Sequence, residues 1–151
     1  MEATANTLVL GLGNALLSDL GVGIEVVHWL RRRRPRMPGV DLVRAGLVNV
    51  SLACVVSHYR GLIVITALPR GSAPGAMASW TDAQMDRLLL NNPRLPERRA
   101  LLSIEPASGH VGRGLSRAVA SSVPLAAGQV EGLLASWWPD PLPAALPAGA
   151  A

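Results

Sequence analysis

The amino-acid sequence predicts an α/β fold: a three-layer sandwich with a mainly parallel sheet of roughly four to five strands and helices on both faces. Three observations predict it. Short apolar runs without polar alternation, bounded by glycine, read as strands buried on both sides. The segments between them repeat their apolar residues at helical spacing. A glycine-rich turn follows the first run, where an α/β sheet opens into its first helix.

Thr7 to Gly11 (TLVLG) is the first such strand. Val22, Val26, Val27 and Leu30 then share one helical face; Asp19 stands where an N-cap belongs and Pro35 stops the helix. Val40 to Val43 reads as a second strand and Val50 to His58 as a helix, with Leu52, Val55, Val56 and Tyr59 in its apolar stripe. Leu62 to Ala67 (LIVITA) is the clearest strand, β-branched and unbroken. Strand and helix alternating at this spacing imply right-handed crossovers. Pro69 to Pro74 is a turn region, Thr81 opens a short helix through Leu90, and Asn91 to Arg99 reads as a polar loop. Ala100 to Ile104 supplies a last strand. Leu115 to Trp137 is a long helix, with Val119, Val123, Leu125, Val130, Leu133 and Leu134 apolar and Pro124 expected to kink or interrupt it. Residues 1–138 form one domain, and 139–151, rich in proline and alanine, a mobile tail.

Composition excludes several functions. Of 151 residues half are hydrophobic and 16% charged, a globular balance. No apolar run reaches the roughly 18 residues of a membrane span. The run at 7–12 lacks the basic leader of a signal peptide, so the expected location is the cytoplasm. The one cysteine, Cys54, lies in an apolar stretch and reads as a buried thiol. All 14 basic residues are arginine, and the net charge is +4. Arg31 to Arg34 with Arg36 close the first helix, where cations complement the carbonyl end of the dipole. No aromatic residues interleave with them, so no nucleic-acid partner is expected.

The loop from Gly11 to Gly23 (GLGNALLSDLGVG) is the candidate ligand or partner loop, with Gly11, Gly13, Asn14, Asp19 and Gly21 as its key positions. It is not a dinucleotide fingerprint: the third glycine is replaced by Leu16, and Val43 is followed by Arg44 where an acid should close the second strand. Without lysine there is no P-loop. The opening is also similar to peptidyl-tRNA hydrolase, but Ala15 and Leu16 stand where that family has a proline-glycine pair.

Gly11, Gly13, Asn14, Leu16, Asp19, Gly21 and Gly23 resemble the N-terminal motif of the [NiFe]-hydrogenase maturation endopeptidases. Gly46 matches that family's turn after the second strand. Gly71, Pro74 and Gly75 (GSAPG) match its G-x-x-P-G segment, and Ile104 to Ser116 (IEPASGHVGRGLS) its C-terminal signature. The resemblance covers residues 7 to about 138. It implies an α/β sandwich and removal of a C-terminal peptide from the hydrogenase large subunit after nickel insertion, with nickel as the recognition point. It assigns the metal work to an acid just after the Asp19 position, an aspartate ending the third strand, and a histidine in a later S-x-H segment.

This chain is a divergent member by that comparison. Leu20 stands at the first position and Thr66 at the second, and none of the 28 residues between Gly75 and Ile104 is histidine. A deletion of about one strand–helix unit is expected there. Leucine offers a divalent ion no donor and a neutral threonine hydroxyl a poor one. No metal is therefore expected, and nickel enters only if the chain is an active protease. Asp19 and His110 are the weak substitutes: Asp19 is a helix cap or a ligand, and His110 lies in a glycine-rich loop near the sheet's carboxyl edge. His28 reads as packed, His58 as a surface residue, Asp82 and Asp86 as an exposed helix pair, and Glu105 as structural. Of Trp137 and Trp138, one anchors the last helix and the other is available to a partner. The expected role is a non-catalytic maturation protein that binds a hydrogenase large subunit or another assembly factor. The alternatives are an active, divergent endopeptidase and a small-ligand-binding module.

Overall fold

The unbroken apolar runs become the interior of a five-stranded sheet. The computed structural model describes residues 6–46, 58–87 and 95–138. Among them the strands are β1 (Thr7–Leu12), β2 (Val40–Ala45), β3 (Gly61–Ala67), β4 (Met77–Thr81) and β5 (Arg98–Ile104). The helices are α1 (Val22–Arg33), a single turn α2 (Ala83–Asp86) and α3 (Arg117–Trp137), with a 3-10 turn at Ser18–Gly21. The sheet order is β2-β1-β3-β5-β4. The first four of these strands run parallel, and β4 runs antiparallel to β5.

Burial on both faces explains why the strands lack polar alternation. Val9, Ile63, Ile65, Ala100, Leu102 and Ile104 point to one side, where they pack with Val22, Val26, Val27 and Leu30 of α1 and Val119, Ala126, Val130 and Leu134 of α3. Leu8, Leu10, Leu62, Val64 and Leu101 point to the other, where Met85, Tyr59, Trp80 and Leu95 cover them. Each valine, leucine, isoleucine or methionine so enclosed contributes about 1.5–3 kcal/mol, which fixes the register: a slip by one residue would exchange the two cores.

Several expectations change. Met77–Thr81, which shows no strand pattern in sequence, is an edge strand, so the helix expected to open at Thr81 begins at Ala83 instead. It carries little apolar alternation because it pairs on one side only, with β5. The interval expected to have lost a strand–helix unit therefore holds a strand and a helical turn. Helix α3 runs through Pro124 without a break. The proline loses one backbone bond, but the buried face that includes Val123, Ala126 and Ala127 holds the helix to its neighbours. Leu125, expected in that face, is exposed. This helix is long and apolar enough to span a membrane by length and composition, yet it lies in the core against α1 and β5.

Both terminal tryptophans pack on the core. Trp138 Nε1 donates to Thr7 Oγ1 at 2.6 Å, and the Arg60 guanidinium lies 4.9 Å from a Trp138 ring centroid. Asp82 and Asp86 are not a solvated pair. Arg99 donates to both Asp86 carboxylate oxygens, at 2.7 and 2.5 Å, and its backbone N–H donates to Asp82 Oδ1. The hydrogen bond to Arg99 comes first among the effects on the Asp86 carboxyl; burial opposes it, the Arg99 charge adds to it, and the carboxyl is held below its ordinary range. Of the arginine run, Arg34 pairs with Glu131 at 3.0 Å, Arg31 donates to Leu42 O, and Arg33 lies 6.0 Å from the Trp29 ring. His58 is exposed. The Val50–His58 helix up to Ser57, Cys54, the end of the Thr81–Leu90 helix, residues 91–94 of the Asn91–Arg99 loop and the 139–151 tail lie outside the described residues, and the end of that loop, Arg98–Arg99, already belongs to β5.

Candidate functional site at the carboxyl edge of the sheet

The parallel strands bring the loops 13–21, 68–76 and 105–116 to one edge, the place where open α/β sheets bind ligands. The glycine loop is built to fold onto itself. Gly13 has φ +153, and a Cβ there would strike Leu20 O. A Cβ on Gly23 would strike Ile65 O and, at 2.6 Å, Leu12 O, so α1 can approach the sheet only as glycine. Asn14 N–H donates to Leu20 O at 3.0 Å, and Leu16 N–H to Asn14 Oδ1 at 2.9 Å, closing the loop as an Asx-type turn. Gly11 and Gly21 also face backbone, of Gly23 and Ala15. The loop's glycines serve chain packing at all four positions.

Asp19 has a role that sequence reasoning missed. It does not cap α1, whose N-cap is Gly21 with no side-chain bond. It sits fully buried in the preceding turn and reaches across to the 105–116 loop. Its Oδ2 accepts from Ala107 N–H (2.8 Å), Ser108 N–H (3.1 Å) and Ser116 Oγ (2.8 Å), and its Oδ1 from Ser116 N–H (2.7 Å). Burial pushes the carboxyl up, but the Ser116, Ala107 and Ser108 bonds together outweigh it and hold the pKa below the ordinary value. The carboxylate is thus committed to four donors, and binding a metal ion would require breaking that network. A cap assignment rests on neighbours two or three residues away. These partners lie 88 to 97 residues on, where only the I-E-P…L-S motif hints at them.

Glu105 does the same for the opposite loop, as its structural reading anticipated. It is buried and accepts from Arg70 N–H (2.8 and 3.0 Å) and Ser72 N–H (2.9 Å), tying the G-S-A-P-G segment to the end of β5.

The two positions where the resemblance places metal-binding acids both belong to this edge: the turn carrying Leu20 packs against β3, which ends in Thr66 and Ala67. The Leu20 side chain lies beneath Gly109, so near that a methyl on Gly109 would come within 3.2 Å of Leu20 Cδ1. Thr66 is half-buried, and its hydroxyl donates to Ala67 O at 3.3 Å. His110 is exposed; its N–H donates to Ser108 Oγ and its carbonyl accepts from Ser18 Oγ at 2.8 Å. His28 is half-buried and shares a 2.8 Å hydrogen bond with Arg44 Nη1. Among the described residues no three His, Cys, Asp or Glu side chains gather as a metal site would require. The donor set does not fit a transition-metal ion.

This architecture is that of a hydrogenase-maturation-protease fold, and comparisons with known proteins agree. The chain is 33% identical over 87 residues to the hydrogenase expression/formation protein HupM of Azotobacter chroococcum, covering 58% of this chain and 42% of that protein. It is 31% identical over 85 residues to the hydrogenase 2 maturation protease of Escherichia coli, covering 56% of this chain and 52% of that one. The chain thus spans about half or less of the length of the curated relatives it matches. In structure it superposes on the hydrogenase maturating endopeptidase HybD from E. coli with a TM-score of 0.81 and 25% identity, over 94% of this chain and 97% of that one. No protein-family model matches. In sequence and in fold, then, the chain is similar to hydrogenase maturation proteases.

Proposed function

We propose that this protein acts in the cytoplasm in the maturation of a [NiFe]-hydrogenase as a protease-like binding protein without catalytic activity, with the large subunit or another assembly factor as its partner. The observation that carries this is the chemistry of the carboxyl edge. Leu20 lies under Gly109 and offers no lone pair, Thr66 offers only a neutral hydroxyl, a poor ligand, and the Asp19 carboxylate is consumed by backbone and hydroxyl donors. The loops that frame the edge are nonetheless held in place by two buried carboxylates, Asp19 and Glu105, a construction suited to presenting a surface. No resident metal or other cofactor is part of the role.

The competing proposal is an active, divergent nickel-dependent endopeptidase, favoured by the likeness to HybD. One experiment separates them: purified protein is mixed with a nickel-loaded large-subunit precursor, and both co-purification and C-terminal cleavage are followed. Stable association without a mass change supports the binding role. Cleavage establishes the endopeptidase, and neither association nor cleavage removes both.

A further inference from the structure

We propose that the cleft between the Ser18 turn and the first turns of α1 and α3 receives a single lysine or arginine side chain from a polypeptide partner. This deepens the proposed function and rests on its premise that a protein docks at the carboxyl edge. The cleft has a volume of about 250 Å³ and is walled by Ser18, Glu25, Gly114 and Leu115, among others. Glu25 is half-buried, and among the described residues it makes neither a hydrogen bond nor an ion pair. It lines the cleft from the first turn of α1, where the helix dipole favours a carboxylate.

The walls are fixed. Ser18 is held at φ +50, and its hydroxyl donates to His110 O. Gly112 N–H donates to Leu16 O and Ser18 N–H to Gly112 O, each at 2.8 Å, so the two loops are laced together as a short parallel bridge. A strained residue pinned in a cleft wall is common at ligand sites. The laced loops raise Leu16 and Val111 into solvent, 53% and 89% exposed. An anion in a cleft also walled by Ala15, Leu115 and Ala120 matches a side chain with an apolar stem and a cationic tip. Arg113 and Arg117 stand exposed on the neighbouring loop and helix and repel a second cation, so the fitting segment carries one basic residue between apolar ones.

The test titrates isotope-labelled protein with the blocked peptide acetyl-Val-Leu-Arg-Leu-Val-amide and its isosteric citrulline counterpart, followed by amide chemical shifts. The arginine peptide is expected to move the Ser18, Gly114 and Leu115 amides and to bind roughly three- to tenfold tighter than the citrulline peptide. Glu25→Gln, whose spectrum also reports folding, is expected to erase the difference. Equal affinities in the unmodified protein, shifts clustered elsewhere, or no shifts at millimolar peptide overturn the assignment. Capture of the large subunit is measured alongside. Capture unaffected by Glu25→Gln overturns this pocket and leaves the maturation role standing, whereas arginine-selective peptide binding without capture removes that role and leaves the pocket.

Discussion

Replacing Asp19 by asparagine tests whether this residue holds the edge together. The carboxylate receives four hydrogen bonds at zero exposure, three on Oδ2 and one on Oδ1. Asparagine keeps the shape but turns one oxygen into a donor. In its better orientation the amide oxygen faces Ala107, Ser108 and the Ser116 hydroxyl, and the amide nitrogen faces the Ser116 N–H. One buried N–H is then orphaned, at about 1–3 kcal/mol, and the remaining bonds lose their charge assistance, for a total of about 2–4 kcal/mol. For a domain of this size each kcal/mol moves the midpoint by about 2–4 °C, so Tm falls by about 5–15 °C. Denaturant unfolding gives the free energy, and hydrogen exchange should show the Ala107, Ser108 and Ser116 amides losing protection ahead of the β3 amides. A variant within about 1 kcal/mol of the parent, with these amides still protected, would refute the latch.

The same carboxylate sets an acid limit. Its folded-state pKa is depressed, so its stabilisation is complete above the ordinary value of 3.8 and is lost as pH falls through the lowered folded value. Unfolding curves between pH 6 and 2 should show that loss in the parent and a shallower one in Asp19→Asn. Glu105→Gln should destabilise the 69–75 segment by about 1–3 kcal/mol, measured by denaturation, because the Arg70 and Ser72 N–H groups lose part of their acceptor. Gly23→Ala should cost at least about 3 kcal/mol or prevent folding, since its methyl would meet the backbone oxygens of Ile65 and Leu12; a well-folded, equally stable variant would contradict the packing described.

The interior strands were legible because double-sided burial writes itself into the chain. TLVLG and LIVITA admit no polar residue on either face except at their ends, and α1 announces its core face through Val22, Val26, Val27 and Leu30. Strand β4 was hidden for the converse reason. MASWT is an edge with one neighbour, and its residues are only partly buried, so no period marks it. Pro124 signalled a break that tertiary packing overrides. The pairing of Asp19 with Ser116 was beyond any local rule, because it depends on the crossover that brings the two loops to the same edge. Motif order placed Leu20 in the first glycine-rich loop and Thr66 at the end of the third strand. What it could not give was where Leu20 lies and what the Thr66 hydroxyl does there.

Those two side chains carry the central claim, and a nickel titration of the purified protein tests it most directly. Calorimetry at neutral pH should show no saturable heat, and the double substitution Leu20→Glu with Thr66→Asp should gain some by restoring oxygen donors. A stoichiometric, saturable heat in the unsubstituted protein would contradict the account.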